Sequence, residues 1–237
     1  MVLFLVCTFQ SICQKRIISY FDNEGHQVSN AEASNFTVRY KINDTCWALD
    51  SYRQKGPLRK REQYRDKECQ IRNGECAYYN VMGIIDSSGH FINGLQNGAW
   101  IVYENIGSVA LEEYYDSGIL RSVTDMDSLK SASANADFIE SEFPGGPREW
   151  QQFIIGHLRL PDDIINDNGS LSAQIMVGFT VEKDGSLHDI QIIRSRLYLI
   201  DDLAIDVIKK SPKFIAATKN GVKVKSYKLQ PVNFEIP

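Results

Sequence analysis

Four histidines, His26, His90, His157 and His188, are the first candidates for acid–base or metal chemistry, and they are scattered along the chain. None stands in a His-Glu-x-x-His pattern, and the chain holds no Gly-x-Ser-x-Gly elbow, phosphate-binding loop or dinucleotide fingerprint. His157 lies beside the apolar stripe of an expected helix, where packing accounts for it, and His188 follows an expected turn in water. Two carboxylate pairs, Asp162-Asp163 and Asp201-Asp202, have the composition of an acid–base dyad. Both flank expected helices, where capping explains them better than acid–base work, and Asp201 reads as an N-cap. Past Cys7 and Cys13, the cysteines are Cys46, Cys69 and Cys76, with no Cys-x-x-Cys pair and no histidine at zinc spacing. Cys69 and Cys76 are close enough in sequence to staple a hairpin, and a buried free thiol is the equal alternative. These residues predict no enzyme, no metal site and no cofactor.

The remaining side chains of interest are aromatic. Tyr79, Trp100, Tyr103, Tyr114 and Tyr115 would make either a binding face or the packing of the strands that carry them. Packing is the preferred reading, because large rings on paired strands bury one another.

A net charge of −4 and a pI near 5.6 argue against a nucleic-acid partner, which a basic face would attract. The apolar run Met1–Phe9 is about half of the roughly 20 residues needed to cross a bilayer. Residues 1–13 therefore read as a signal peptide cleaved after Cys13, and no membrane span is expected. No Lys or Arg precedes the run, which predicts a start further upstream. The residues before Cys13 are a poor match to a lipidation signal, and a buried N-terminal strand is the alternative for the whole run.

The elements that would position a site fall into zones. Residues 14–121 carry an internal repeat, in which Asn73-Gly74 through Tyr79 matches Asn97-Gly98 through Tyr103, 24 residues on. Gly-containing turns follow at Asp86–Gly89, Asn93-Gly94 and Asp116–Gly118, the pattern of β-hairpins in series that must stack to bury a core. Residues 122–142, rich in Ser, Asp and Ala, read as a linker. In residues 143–237, Phe143-Pro-Gly-Gly146 opens a helix whose stripe is Trp150, Phe153, Ile154, His157 and Leu158. A strand alternates Ala173, Ile175, Val177, Phe179 and Val181 against polar neighbours, turns at Asp184-Gly185 and returns over Leu187–Arg194. A second helix buries Leu203, Ala204, Val207 and Ile208. A last strand runs from Val222 to about Ile236, with a bulge or twist near Pro231 to reconcile Tyr227 and Leu229 with the other apolar positions. The expected fold is α+β: two helices on a three-stranded antiparallel sheet, preceded by an all-β hairpin-repeat module.

The repeats resemble the MORN-like repeats of exported bacterial proteins. Phe-Pro-Gly-Gly, Val-Gly-Phe-Thr-Val-Glu-Lys-Asp-Gly, Ser-Pro-Lys-Phe and Pro-Val-Asn-Phe-Glu-Ile together resemble the C-terminal domain of TonB-family energy transducers in the form common in Bacteroidetes-type bacteria. That resemblance implies a periplasmic, envelope-associated domain that grips the TonB box of a TonB-dependent outer-membrane receptor. The grip would be β-strand addition to the last strand, through Lys225, Ser226, Tyr227, Lys228, Leu229, Gln230, Val232 and Phe234. Lys223, Lys225 and Lys228 would discourage random edge pairing or steer an acidic receptor. The family's membrane anchor and Pro-rich reach have no counterpart in this sequence, which sets the energy-transducing role apart from the binding role. The alternative is a cell-envelope scaffold in which the repeats bind and the C-terminal domain forms a homodimer.

Overall fold

The computed structural model describes residues 15–125, 137–158 and 171–236. The signal-peptide expectation, Asp162-Asp163 and linker positions 126–136 lie outside these residues.

Residues 17–125 alternate β-branched and aromatic side chains with tight turns, and they form an antiparallel sheet. Its strands are β1 (Ile17–Phe21), β2 (Asn35–Asn43), β3 (Cys46–Arg53), β4 (Leu58–Tyr64), β5 (Arg72–Tyr79), β6 (Ile85–Ile92), the short β7 (Leu95–Gln96), β8 (Gly98–Asn105), β9 (Ser108–Asp116) and β10 (Ile119–Asp125). They pair in chain order, with β7 beside β6 off the main path. At Asn93-Gly94 and Ser117-Gly118 both residues have positive φ, which matches the twist of paired strands. The two repeat copies open β5 and β8. Their matched positions Cys76 and Trp100 meet Phe91 in a small core, with Phe91 edge-on to Trp100 at 5.3 Å. Cys46, Cys69 and Cys76 are all free thiols.

The rest of the described chain comprises β11 (Phe138–Ile139), α1 (Gly146–His157), β12 (Leu171–Val181), β13 (Leu187–Arg194), α2 (Tyr198–Lys209), β14 (Thr218–Lys219), β15 (Val222–Lys223) and β16 (Ser226–Ile236). The main sheet has the order β13-β12-β16. The alternation of β12 sends Ile175, Val177, Phe179 and Val181 into the core, where they meet Trp150 and Ile154 of α1 and Ala204, Val207 and Ile208 of α2. Gly185 makes the turn before β13 at φ +84°, and a Cβ there would lie 2.1 Å from the Phe214 carbonyl oxygen.

Four expectations need correction. The last strand begins at Ser226, because Asn220-Gly221 folds β15 back on β14, and β14 pairs in turn with β11. No bulge lies near Pro231: β16 pairs with β12 in unbroken register from Ser226↔Val181 to Ile236↔Leu171, and the irregularities fall between β12 and β13. Leu197, in extended conformation, caps α2, whereas Asp201 lies inside the helix and reaches back to the Arg196 N–H at 3.0 Å. Positions 122–125 extend β10, and Phe138–Ile139 are strand-paired, so neither end of residues 122–142 is free linker.

One core joins the repeat module to the C-terminal elements. Tyr52, Leu58, Ala77, Tyr79 and Ile85 belong to the same buried cluster as Ile192, Ile193 and Ile200. Tyr198 of α2 packs edge-on against Phe36 and Tyr52, at 6.0 and 5.3 Å. The Tyr79 hydroxyl donates to the Ile192 carbonyl at 2.8 Å, and the Ser195 N–H donates to the Gly83 carbonyl at 2.7 Å. Arg16 holds Asp202 through two hydrogen bonds of 2.7 and 2.9 Å and also reaches the Tyr198 hydroxyl.

Candidate partner-binding edge

The sheet order leaves β16 with a strand partner on one side only. Its inner side is paired with β12 along its whole length, so the strand is held straight while its outer row of backbone groups faces outward. Among the described residues no strand pairs with that outer row, which is the template that strand addition requires.

The eight residues expected at the site divide by what their side chains already do. Lys225 precedes β16 and its ammonium lies 2.7 Å from Glu182, a pairing that holds its pKa above the ordinary value. Ser226 is buried, its hydroxyl donating to the Ser141 hydroxyl at 2.8 Å. Lys228 donates to the Ser141 carbonyl at 2.6 Å. The first turn of the edge is thus closed by Ser141, and Lys225 and Lys228 have internal partners. Tyr227 lies over Gly178 on the sheet face away from the helices, and burial, then the neighbouring Tyr103, raises its hydroxyl pKa. Leu229 rests on Gly107 of the β8–β9 turn, where a Cβ would come within 2.5 Å of its side chain. Gln230 donates to the Pro231 carbonyl at 3.1 Å. Val232 and Phe234 are 0% and 1% exposed and form part of the core, so they offer a partner only their backbone.

Sequence reasoning missed the wall beside this edge. Helix α1 is entered through two glycines of positive φ, its N-cap Gly145 and its first residue Gly146, with Pro147 in its first turn, and it borders β16. Between them runs a groove of about 480 Å³ lined by Trp150, Ile154, Ile155, Gln230, Asn233 and Glu235 among others. Trp150 packs against Phe143 and Phe214, at 5.0 and 5.6 Å between ring centres, and its indole Nε1 is buried without a hydrogen-bond partner among the described residues. The helical spacing of Trp150 and Ile154 showed an apolar stripe; that its edge would border β16 depends on long-range packing.

The histidines form no catalytic arrangement among the described residues. His157 is exposed, with Nδ1 2.8 Å from the Phe153 carbonyl oxygen. His26 stands with Asp22 and Glu24 on an exposed turn, where one Asp22 oxygen already accepts the backbone N–H groups of Glu24 and His26. The buried Asp201 carboxyl accepts from Ser195 Oγ and the Arg196 N–H, and burial raises its pKa to about 7.

Known proteins match the part of the chain that contains this edge. Residues 168–236 match the family described as the Gram-negative bacterial TonB protein C-terminal. The solution structure of the Helicobacter pylori TonB C-terminal domain is similar at 20% identity, covering 40% of this chain and 87% of that one with a TM-score of 0.30. No curated protein matches the chain. The matched residues 168–236, which include β12, β13, α2 and the open strand β16, are thus similar to the C-terminal domain of the TonB family.

Proposed function

We propose that this protein is a periplasmic, TonB-like binding protein that takes an extended peptide from a TonB-dependent outer-membrane receptor as an added strand on β16. The observation that carries the reading is β16, paired with β12 over its full length on one side and, beyond the Ser141 contacts, without a strand partner among the described residues on the other, within the segment that matches the TonB C-terminal family. Main-chain hydrogen bonds supply affinity in such an arrangement, and pockets beside the edge supply selectivity. The groove against α1 is such a pocket. Because Lys225 and Lys228 are internally paired, backbone pairing carries more of the affinity than steering by these charges. The test is a titration of the ¹⁵N-labelled full chain with synthetic peptides from the periplasm-facing N-terminal segments of the same genome's receptors. Shifts concentrated in the amides of residues 227–235 support the reading, and an unchanged spectrum at millimolar peptide refutes it.

A second observation favours an envelope-scaffold role for the repeat module. Strand β10 is exposed along its length, and Ile119, Leu120 and Val123 are 56%, 46% and 54% exposed. An apolar edge strand of this kind is a pairing surface. If the full chain self-associates in sedimentation and Val123→Lys abolishes that association, the scaffold reading gains; a monomer at high concentration removes it.

A further inference from the structure

We infer that Trp150 reads one side chain of the added strand, its indole N–H serving as the donor for a neutral amide, Gln or Asn, that the peptide brings into the groove between α1 and β16. This inference rests on the strand-addition reading. Successive side chains of a strand point to opposite faces, so every second residue of a peptide laid along β16 faces α1. There it meets Ile154 and Ile155, with the side chain of Gln230 close by. Trp150 lies in the same wall, 7% exposed, and its Nε1 has no hydrogen-bond partner among the described residues. Buried N–H groups are almost always paired, since an unpaired one costs the full desolvation of the group. By contrast, the indole of Trp100 donates to the His90 carbonyl at 3.3 Å. The orphan N–H of Trp150 thus lies beside a groove and an open strand, where an incoming residue can supply the missing acceptor.

The chemistry of the walls narrows that residue. A donor rejects Lys and Arg, which have no acceptor. Glu235 at the rim of the groove disfavours a second carboxylate. An amide suits both requirements: its oxygen accepts from Trp150, and its NH₂ donates to the side-chain oxygen of Gln230, which shares the α1-facing parity of Val232 and Phe234.

The experiment uses the ¹⁵N-labelled full chain and a receptor-derived peptide carrying Gln or Leu at each position in turn. The Trp150 indole signal is identified by its loss in Trp150→Phe. The expected result is that one Gln position moves the Trp150 indole signal together with the β16 amides, and that Leu at that position removes the indole shift and weakens binding about tenfold. Trp150→Phe should bind the Gln and Leu versions equally; should that variant fail to fold, the peptide series on the wild-type chain decides. If β16 amides move while the indole signal stays fixed and Gln and Leu bind alike, Trp150 reads nothing and strand addition stands. If neither moves, both this inference and the strand-addition reading fall.

Discussion

Tyr227 of β16 stands over Gly178 of β12 so closely that a methyl group on the glycine would lie 2.0 Å from the phenolic oxygen and 2.8 Å from Ile193. The open strand is therefore positioned from below as well as by its ladder. Gly178→Ala should overpack this face and destabilise the protein by about 1–3 kcal/mol. Tyr227→Ala should relieve part of that cost, so the double variant should be more stable in urea than the sum of the single effects predicts. Strict additivity would show that the two positions do not press on one another.

The Ser195 hydroxyl donates to Asp201 and accepts the buried N–H of Leu58 at 2.7 Å, joining α2 to β4. Asp201 is 1% exposed, and burial, acting against the hydrogen bonds from Ser195 and Arg196 and the charge of Arg61, raises its pKa from 3.8 to about 7; the Asp50 charge adds to the rise. A carboxyl with a raised folded-state pKa favours folding when protonated. Its contribution is complete below about pH 4, declines as pH rises and is lost above about pH 7. A tenfold difference in proton affinity between the folded and unfolded chain corresponds to about 1.4 kcal/mol. Asp201→Asn should flatten this part of the pH dependence, measured by urea unfolding at pH 5 and pH 8. Parallel losses in both proteins would contradict the assignment.

Leu58 of β4 is fully buried in the core it shares with Ile192 and Ile193 of β13. Leu58→Ala should cost about 2–5 kcal/mol. Amide hydrogen exchange should then speed up in β13 as well as in β4 and β5. Loss of protection confined to the repeat module would mean that the two parts unfold independently.

Cys76 is 4% exposed, and burial pushes its thiol up to about 12. Thiolate is the reactive form. In the native protein, alkylation followed by peptide mapping should therefore mark Cys46 and Cys69, which are partly exposed, well before Cys76. Equal labelling would place Cys76 outside the Phe91–Trp100 cluster.

The local patterns of the chain were legible where one face meets one core. The alternation from Ala173 to Val181, the Asp184-Gly185 turn and the Trp150–Ile154 spacing each report a local period that the fold obeys. What escaped was set by distant partners. Tyr227 and Leu229 are out of phase with Val232 and Phe234 because they lie on the second face, partly exposed, where the repeat module touches them: Tyr103 neighbours Tyr227, and Gly107 receives Leu229. A bulge was the local way to explain that phase; contact with the repeat module on the second face is the actual one. Asp201 suited an N-cap by type and place, yet its carboxylate is held by Ser195, a residue fixed by Leu58 far earlier in the chain. Of the candidate site, the strand was legible from the resemblance. The division of its side chains between core, internal pairs and open edge was not.

The most direct test of strand addition is N-methylation of alternate backbone nitrogens in a receptor peptide. Only every second N–H of an added strand faces β16. Methylating one alternate set should abolish binding to the full chain in calorimetry, and methylating the other should leave it nearly unchanged. Equal tolerance of both sets would contradict strand addition at β16.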